Sequence, residues 1–188
     1  MDEAKDMDRE QALARITAAM CAWDAGDPHR IQHFLKVHSL ARQIALTEDL
    51  PAETRWILEI AALTHDIGVR AAIRRYGWQN ARLQQEMGPD AARLLLAPMG
   101  LPQAVTERVC FLIAHHHTYA GVDAPDWQIL LEADYLVNMA EKGWSAQAAA
   151  EAETRFFRTA AGKTLLRQLQ PDPAACTTRP EQRRPDGC

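Results

Sequence analysis

Proline constrains this sequence more than any other residue. Pro28 follows Asp27, Pro89 follows Gly88, and Pro51 and Pro102 each precede a run of helix-forming residues. At the first position of a helix, proline's fixed φ and missing N–H cost little; inside a helix or a central strand they remove a backbone bond. Between these prolines the chain is rich in Ala, Leu, Arg, Gln and Glu, all of which favour helix. No stretch alternates apolar and polar residues as a half-buried strand would. Asp27 suits an N-cap, and Gly26 and Gly100 suit helix ends. The spacing predicts helices near 9–25, 28–48, 52–67, 69–76, 89–98, 102–117, 127–141, 145–159 and 161–169. The expected fold class is all-α, a single compact multi-helix bundle.

Within it, residues 1–27 should form an N-terminal helix packing on a core at 28–141, and residues 142–170 the closing helices of the same domain. Residues 171–188 hold four of the ten prolines and almost nothing apolar, so a disordered tail is expected there. A length of 188 residues and a hydrophobic content of 47% suit one domain with a real core. No apolar run approaches the roughly 18 residues of a membrane span, and MDEAKDMDREQ lacks the apolar stretch of a secretory signal. A cytoplasmic protein without a membrane partner is the expectation. The net charge of −4 argues against an extended nucleic-acid surface. Cys21, Cys110, Cys176 and Cys188 form no close pair, and the first two are expected to be buried free thiols. Oligomeric state has no signal in the sequence.

Several polar residues interrupt the apolar stripes. His33 shares a helix face with Val37, Leu40, Ala41 and Ile44; His65 ends the stripe of Leu58, Ala61 and Ala62; Asp134 ends that of Trp127, Leu130 and Leu131. Asp66 follows Ala62 and Leu63 closely enough to be half buried. Each has an ordinary explanation alone, as a hydrogen-bonded core histidine, a capping acid or a helix-end dipole partner. Together they put two carboxylates and two imidazoles on apolar faces with no Lys or Arg on the same stripes. Buried carboxylates are costly unless paired or bound to a cation. A divalent metal would balance two carboxylates and accept two histidines in a mixed N/O shell.

These residues resemble a known pattern. His33, then ALTHDIG ending His65-Asp66-Ile67-Gly68, then Asp134 resemble the H…HD…D signature of the HD-domain metal-dependent phosphohydrolase superfamily. The flanking HFLKV, EADYLVN and FLIAHHHTY segments are similar as well, and the likeness covers about residues 28–141. The resemblance implies an HD-like helical core, a divalent metal held by His33, His65, Asp66 and Asp134, and hydrolysis of a phosphate ester. Some members hold two metals through further histidines before the final Asp. His116 and His117 are the candidates here, for a second metal or for a phosphate contact. The chain departs from the pattern in two respects: residues 67–114 contain no histidine, and Val69-Arg70-Ala71-Ala72 offers no carboxylate after the HD pair.

A mixed His/Asp site lowers the pKa of bound water and polarises a phosphoryl oxygen. Asp66, as ligand, is also the candidate catalytic residue for orienting that water. Phosphate needs cations, and Arg30 and Lys36 flank His33 while Arg70 follows the HD pair. Segments 28–47 and 67–85 contain no acid and carry +3 and +4. The expected partner is therefore a small phosphorylated molecule of the nucleotide kind. Two other readings stand beside this one: a non-catalytic nucleotide- or metal-binding regulatory module, and an HD-type di-iron oxygenase.

Overall fold

The computed structural model describes residues 2–143 and 145–170; the tail expected from residue 171 lies outside the described residues. The helices in order are α1 (Asp2–Trp23), α2 (Pro28–Thr47), α3 (Ala52–Thr64), α4 (Ile67–Tyr76), α5 (Ala81–Leu96), a 3-10 turn (Ala97–Met99), α6 (Gln103–His115), α7 (Pro125–Lys142), α8 (Ala146–Arg155) and α9 (Ala160–Gln168). Among the described residues there is no strand, and the fold is all-α. No helix is long and apolar enough to cross a membrane.

α3 is the centre of the bundle. Its residues from Leu58 to Thr64 are all buried, and it packs against α1, α2, α6 and α7. A helix apolar on every side has to be enclosed by others. α2 lies against both α3 and α7, so the helices carrying His33, His65 and Asp134 are mutual neighbours. The proline and cap signals hold at α2: Pro28 occupies the first turn, and the Asp27 carboxylate accepts from Arg30 N at 3.0 Å. Gly100 caps the 3-10 turn with a φ of 69°, whereas Gly26, three residues past the end of α1, turns the chain toward α2 with a φ of 88°.

Two of the boundaries that differ from the sequence expectation matter for the site. Helix α3 stops at Thr64, so His65 and Asp66 form the corner between α3 and α4. The His65 ring takes the Ala62 carbonyl through Nδ1 at 2.9 Å, an acceptor the next helical turn would need. The second difference is at Pro89, which lies inside α5 and does not start it. The helix begins eight residues earlier, where the Asn80 side chain caps Leu83 N at 2.9 Å. Gly88 makes the internal proline tolerable, since it has no Cβ to meet the proline ring. Gly68 lets α4 lie directly on α5, and Gly88 lets α5 lie closely on α6. A Cβ on Gly68 would stand 2.3 Å from Gln84 O, and one on Gly88 would stand 2.4 Å from an Ile113 methyl. This close approach brings residues 79–84 to the rim of the site.

Candidate metal centre

Four pieces of chain deliver the polar residues. α2 carries His33, the α3–α4 corner carries His65 and Asp66, the end of α6 carries His116 and His117, and α7 carries Asp134. His33 Nε2 lies 3.3 Å from His65 Nε2, 3.2 Å from Asp134 Oδ1 and 3.7 Å from Asp66 Oδ2. His65 Nε2 is 3.5 Å from Asp134 Oδ1 and 3.7 Å from Asp66 Oδ2. On the other side of Asp66, His116 Nε2 stands 3.5 Å from Oδ1. Ligand atoms of His33, His65 and Asp66 lie within 4.8 Å of one another, as do those of Asp66, His116 and His117. Asp66 belongs to both groups.

The tautomers follow from the second nitrogen of each ring. His33 Nδ1 donates to Glu141 Oε2 at 3.0 Å, His65 Nδ1 to Ala62 O at 2.9 Å, and His116 Nδ1 to Ile113 O at 2.6 Å. Nε2 is therefore the nitrogen that each ring turns toward the same centre, free to bind a cation once it carries no proton. The lone pairs of His33 and His65, 3.3 Å apart, repel unless a proton or a cation lies between them. His116 is fully buried, and its Nε2 has no hydrogen-bond partner. A buried imidazole nitrogen without a partner is costly, and coordination would satisfy it. The donor set of imidazole and carboxylate fits a divalent transition metal.

Electrostatics agree with the geometry. Burial works against ionised Asp66, but His65, His116 and His33 hold its carboxyl far below the usual carboxylate range. Burial likewise opposes ionised Asp134, yet its bonds to His33 and His65 keep it ionised. Burial disfavours charging His65, and the Asp66 and Asp134 carboxylates outweigh it, raising its pKa to about 9. The centre as built attracts positive charge. His117 behaves oppositely: burial and the neighbouring His116 lower it to about 4, so its ring is neutral near pH 7.

The match to known proteins now has its structural context. The family model for the HD domain matches residues 30–139, more than half of the chain. This chain belongs to the HD domain family. Among solved structures, a predicted HD superfamily hydrolase from an uncultured Thermotogales bacterium is similar at 26% identity, covering 85% of this chain and 83% of that one, with a TM-score of 0.57. No curated protein matches. The family-level resemblance read from the sequence therefore holds, with the same helical fold over most of the neighbour's length.

An HD-family centre needs an opening for substrate. Here a cavity of about 510 Å³ lies over Asp66, His33 and Asp134, with Arg30 and His117 on its walls. Of the three cations singled out from the sequence, Arg30 lines it. Lys36 instead pairs with Glu141 Oε1 at 3.0 Å. Arg70 points back to the α1–α2 turn, bonding Trp23 O and, at 3.2 Å, Ala25 O. Other cations of the two acid-free segments are also engaged elsewhere: Arg74 stacks on Trp23, Arg75 on Tyr76, Arg82 pairs with Glu86, and Arg42 with Glu59. The local charge count thus does not reach the cavity as a field of free cations. His38 bonds buried Glu59 at 3.1 Å, and His115 donates to Phe111 O, away from the centre.

Two participants, Glu141 and Gln84, were missed in the sequence. Glu141 orients His33, and its position seven residues after Asp134 on one helix face was a readable signal. Gln84 accepts from His117 Nε2 at 2.6 Å, and no local pattern marks it, because the closeness of α4 and α5 puts it there. Asp24 is 1% exposed, and neither of its oxygens has a hydrogen-bond partner; Arg30 Nε and Arg70 Nη1 stand 3.6 and 3.9 Å away. Burial raises its pKa to about 6 against the pull of those arginines. Asn138 donates to Asp134 Oδ1 at 2.7 Å, fixing which oxygen faces the histidines.

Proposed function

We propose that this protein is a metal-dependent phosphohydrolase that cleaves a small phosphate ester of the nucleotide class. The observation that carries this reading is the set of three Nε2 atoms, from His33, His65 and His116, turned by their Nδ1 bonds toward two ionised carboxylates. His33, His65, Asp66 and Asp134 would hold one divalent cation. Asp66 with His116 and His117 would hold a second. A bound cation would acidify water and draw electron density from a phosphoryl oxygen.

The chain's own residues do the rest. Asp66, with one oxygen toward His33 and the other toward His116, orients the attacking water between the two ligand groups. Arg30, held by Asp27 at 2.9 Å, presents its guanidinium on the cavity wall as a fixed grip for the phosphate oxygens. The water oxygen forms the new bond to phosphorus as the ester P–O bond breaks. Gln84 holds the neutral His117 ring by taking its Nε2–H at 2.6 Å, which would leave the other ring nitrogen for the second cation.

The test is elemental analysis of unchelated protein followed by hydrolysis of a nucleotide panel with Mn²⁺, Co²⁺, Ni²⁺ or Fe²⁺. Metal near stoichiometric amounts and phosphate release, both lost in Asp66→Asn, are expected. Protein that takes up no metal and turns over no ester overturns the reading. Metal and nucleotide binding without phosphate release would instead establish the regulatory-module alternative.

A further inference from the structure

A second cavity, of about 740 Å³, adjoins the metal centre, and His117 lines both. It lies between the α6–α7 loop, α7 and α8, and its lining differs in kind. Tyr119, Tyr135 and Phe156 supply aromatic rings, with Glu151 and Arg155 at its edge. Tyr119 is 43% exposed, with its ring 4.6 Å from that of Phe156, and Phe156 stands edge-on to Tyr135 at 4.5 Å. The polar cavity over the metal ligands suits the phosphate. The aromatic one, which shares His117 with it, suits a flat organic group attached to the phosphate.

We propose that this aromatic cavity is the nucleobase site: the base stacks on Tyr119, with Glu151 and Arg155 facing its heteroatoms, while the phosphate lies over Asp66. The assignment rests on the phosphohydrolase reading for the phosphate end. Size and rim chemistry select a base over a simple phenyl ring, since the cavity is far larger than a benzene ring and carries a donor and an acceptor at its edge. Stacking on an aromatic side chain tolerates any base, because every base has a π-face.

Binding and turnover are measured separately on the full-length, Mn²⁺-loaded protein. Calorimetry compares adenosine 5′-methylenephosphonate, whose C–P bond is not hydrolysed, with methylphosphonate and benzylphosphonate. The nucleoside compound should bind roughly ten- to a hundredfold more tightly than either comparator. Tyr119→Ala should remove most of that advantage, Tyr119→Phe should keep it, and Ala148→Phe, which fills the cavity from its half-buried edge, should remove it without weakening methylphosphonate. Equal affinity for all three compounds, benzylphosphonate binding as tightly as the nucleoside compound, or an advantage untouched by Tyr119→Ala and Ala148→Phe overturns the assignment. AMP hydrolysis with Mn²⁺ is followed in parallel. Its absence counts against the phosphohydrolase reading, while the binding pattern still decides the cavity.

Discussion

At the scale of single residues, the centre is controlled by groups that touch no ligand. Glu141 fixes the tautomer and tilt of His33, as carboxylates behind metal-binding histidines do. Glu141→Gln should lower metal affinity about 10- to 100-fold in a competitive chelator titration, with the fold intact by circular dichroism. Unchanged affinity would mean that His33 is held in place by packing alone. His65 makes a second prediction, in pH. With metal removed by chelator, its pKa lies near 9, above the value of about 6.5 for an unfolded histidine. A raised histidine pKa stabilises the fold fully below the unfolded value and ceases to do so as pH rises through the folded one. Thermal melts in EDTA should therefore show this stabilisation at pH 6.5 and its loss by pH 9.5. A bound divalent cation replaces the proton, so metal-loaded protein should not show the loss.

Among the elements, two contacts decide whether the centre can form. α4 and α5 approach through Gly68, where an added Cβ would meet Gln84 O and Gly88 N at 2.3 and 2.9 Å. Gly68→Ala should cost about 1–3 kcal/mol or more, lower the melting temperature by several degrees, and weaken the Gln84–His117 bond. The second contact is in α7. Glu132 is fully buried two residues before Asp134, and it accepts from Gln128 Nε2, Arg158 N and Thr159 N at 2.8, 2.6 and 3.0 Å. It ties the start of α9 to α7. Glu132→Ala leaves those donors unsatisfied and should cost roughly 3 kcal/mol in chemical denaturation while leaving metal stoichiometry unchanged. Asp134→Ala should do the reverse, losing metal first. Glu132 and Asp134 look alike in the sequence and differ only in what their helix faces meet.

At the scale of the whole molecule, the centre joins four pieces of chain that sequence keeps up to 101 residues apart, as between His33 and Asp134. A cation bound there links α2, the α3–α4 corner, the end of α6 and α7, and it binds only the folded arrangement. Metal at about 100 times its dissociation constant should add about 2.7 kcal/mol. That raises the melting temperature by roughly 5–10 °C for a domain of this size. A differential scan with and without Mn²⁺ checks it, and no shift would place the ligands too far apart to share an ion.

The helical class, the helix of His33 with its Asp27 cap, and the burial of His33, His65 and Asp134 were all legible in the sequence. Period, capping and apolar stripes are local properties, set within a few residues. The corner at His65-Asp66 and the start of α5 were not, because a ring bond to Ala62 and a tight crossing at two glycines override the local pattern. The cations show the same divide. Their positions along the chain suggested a cationic pocket, but which of them faces the cavity depends on what each side chain meets first. Lys36 meets Glu141, Arg70 meets the α1–α2 turn, and Arg30 is left on the cavity wall. Sequence alone determined which residues are driven inward and what chemistry they carry, since burial follows helix periodicity. Only the tertiary structure decided that Asp66 stands between two ligand groups and that His117 borders a second, aromatic cavity, because those relations arise between helices that no local spacing connects.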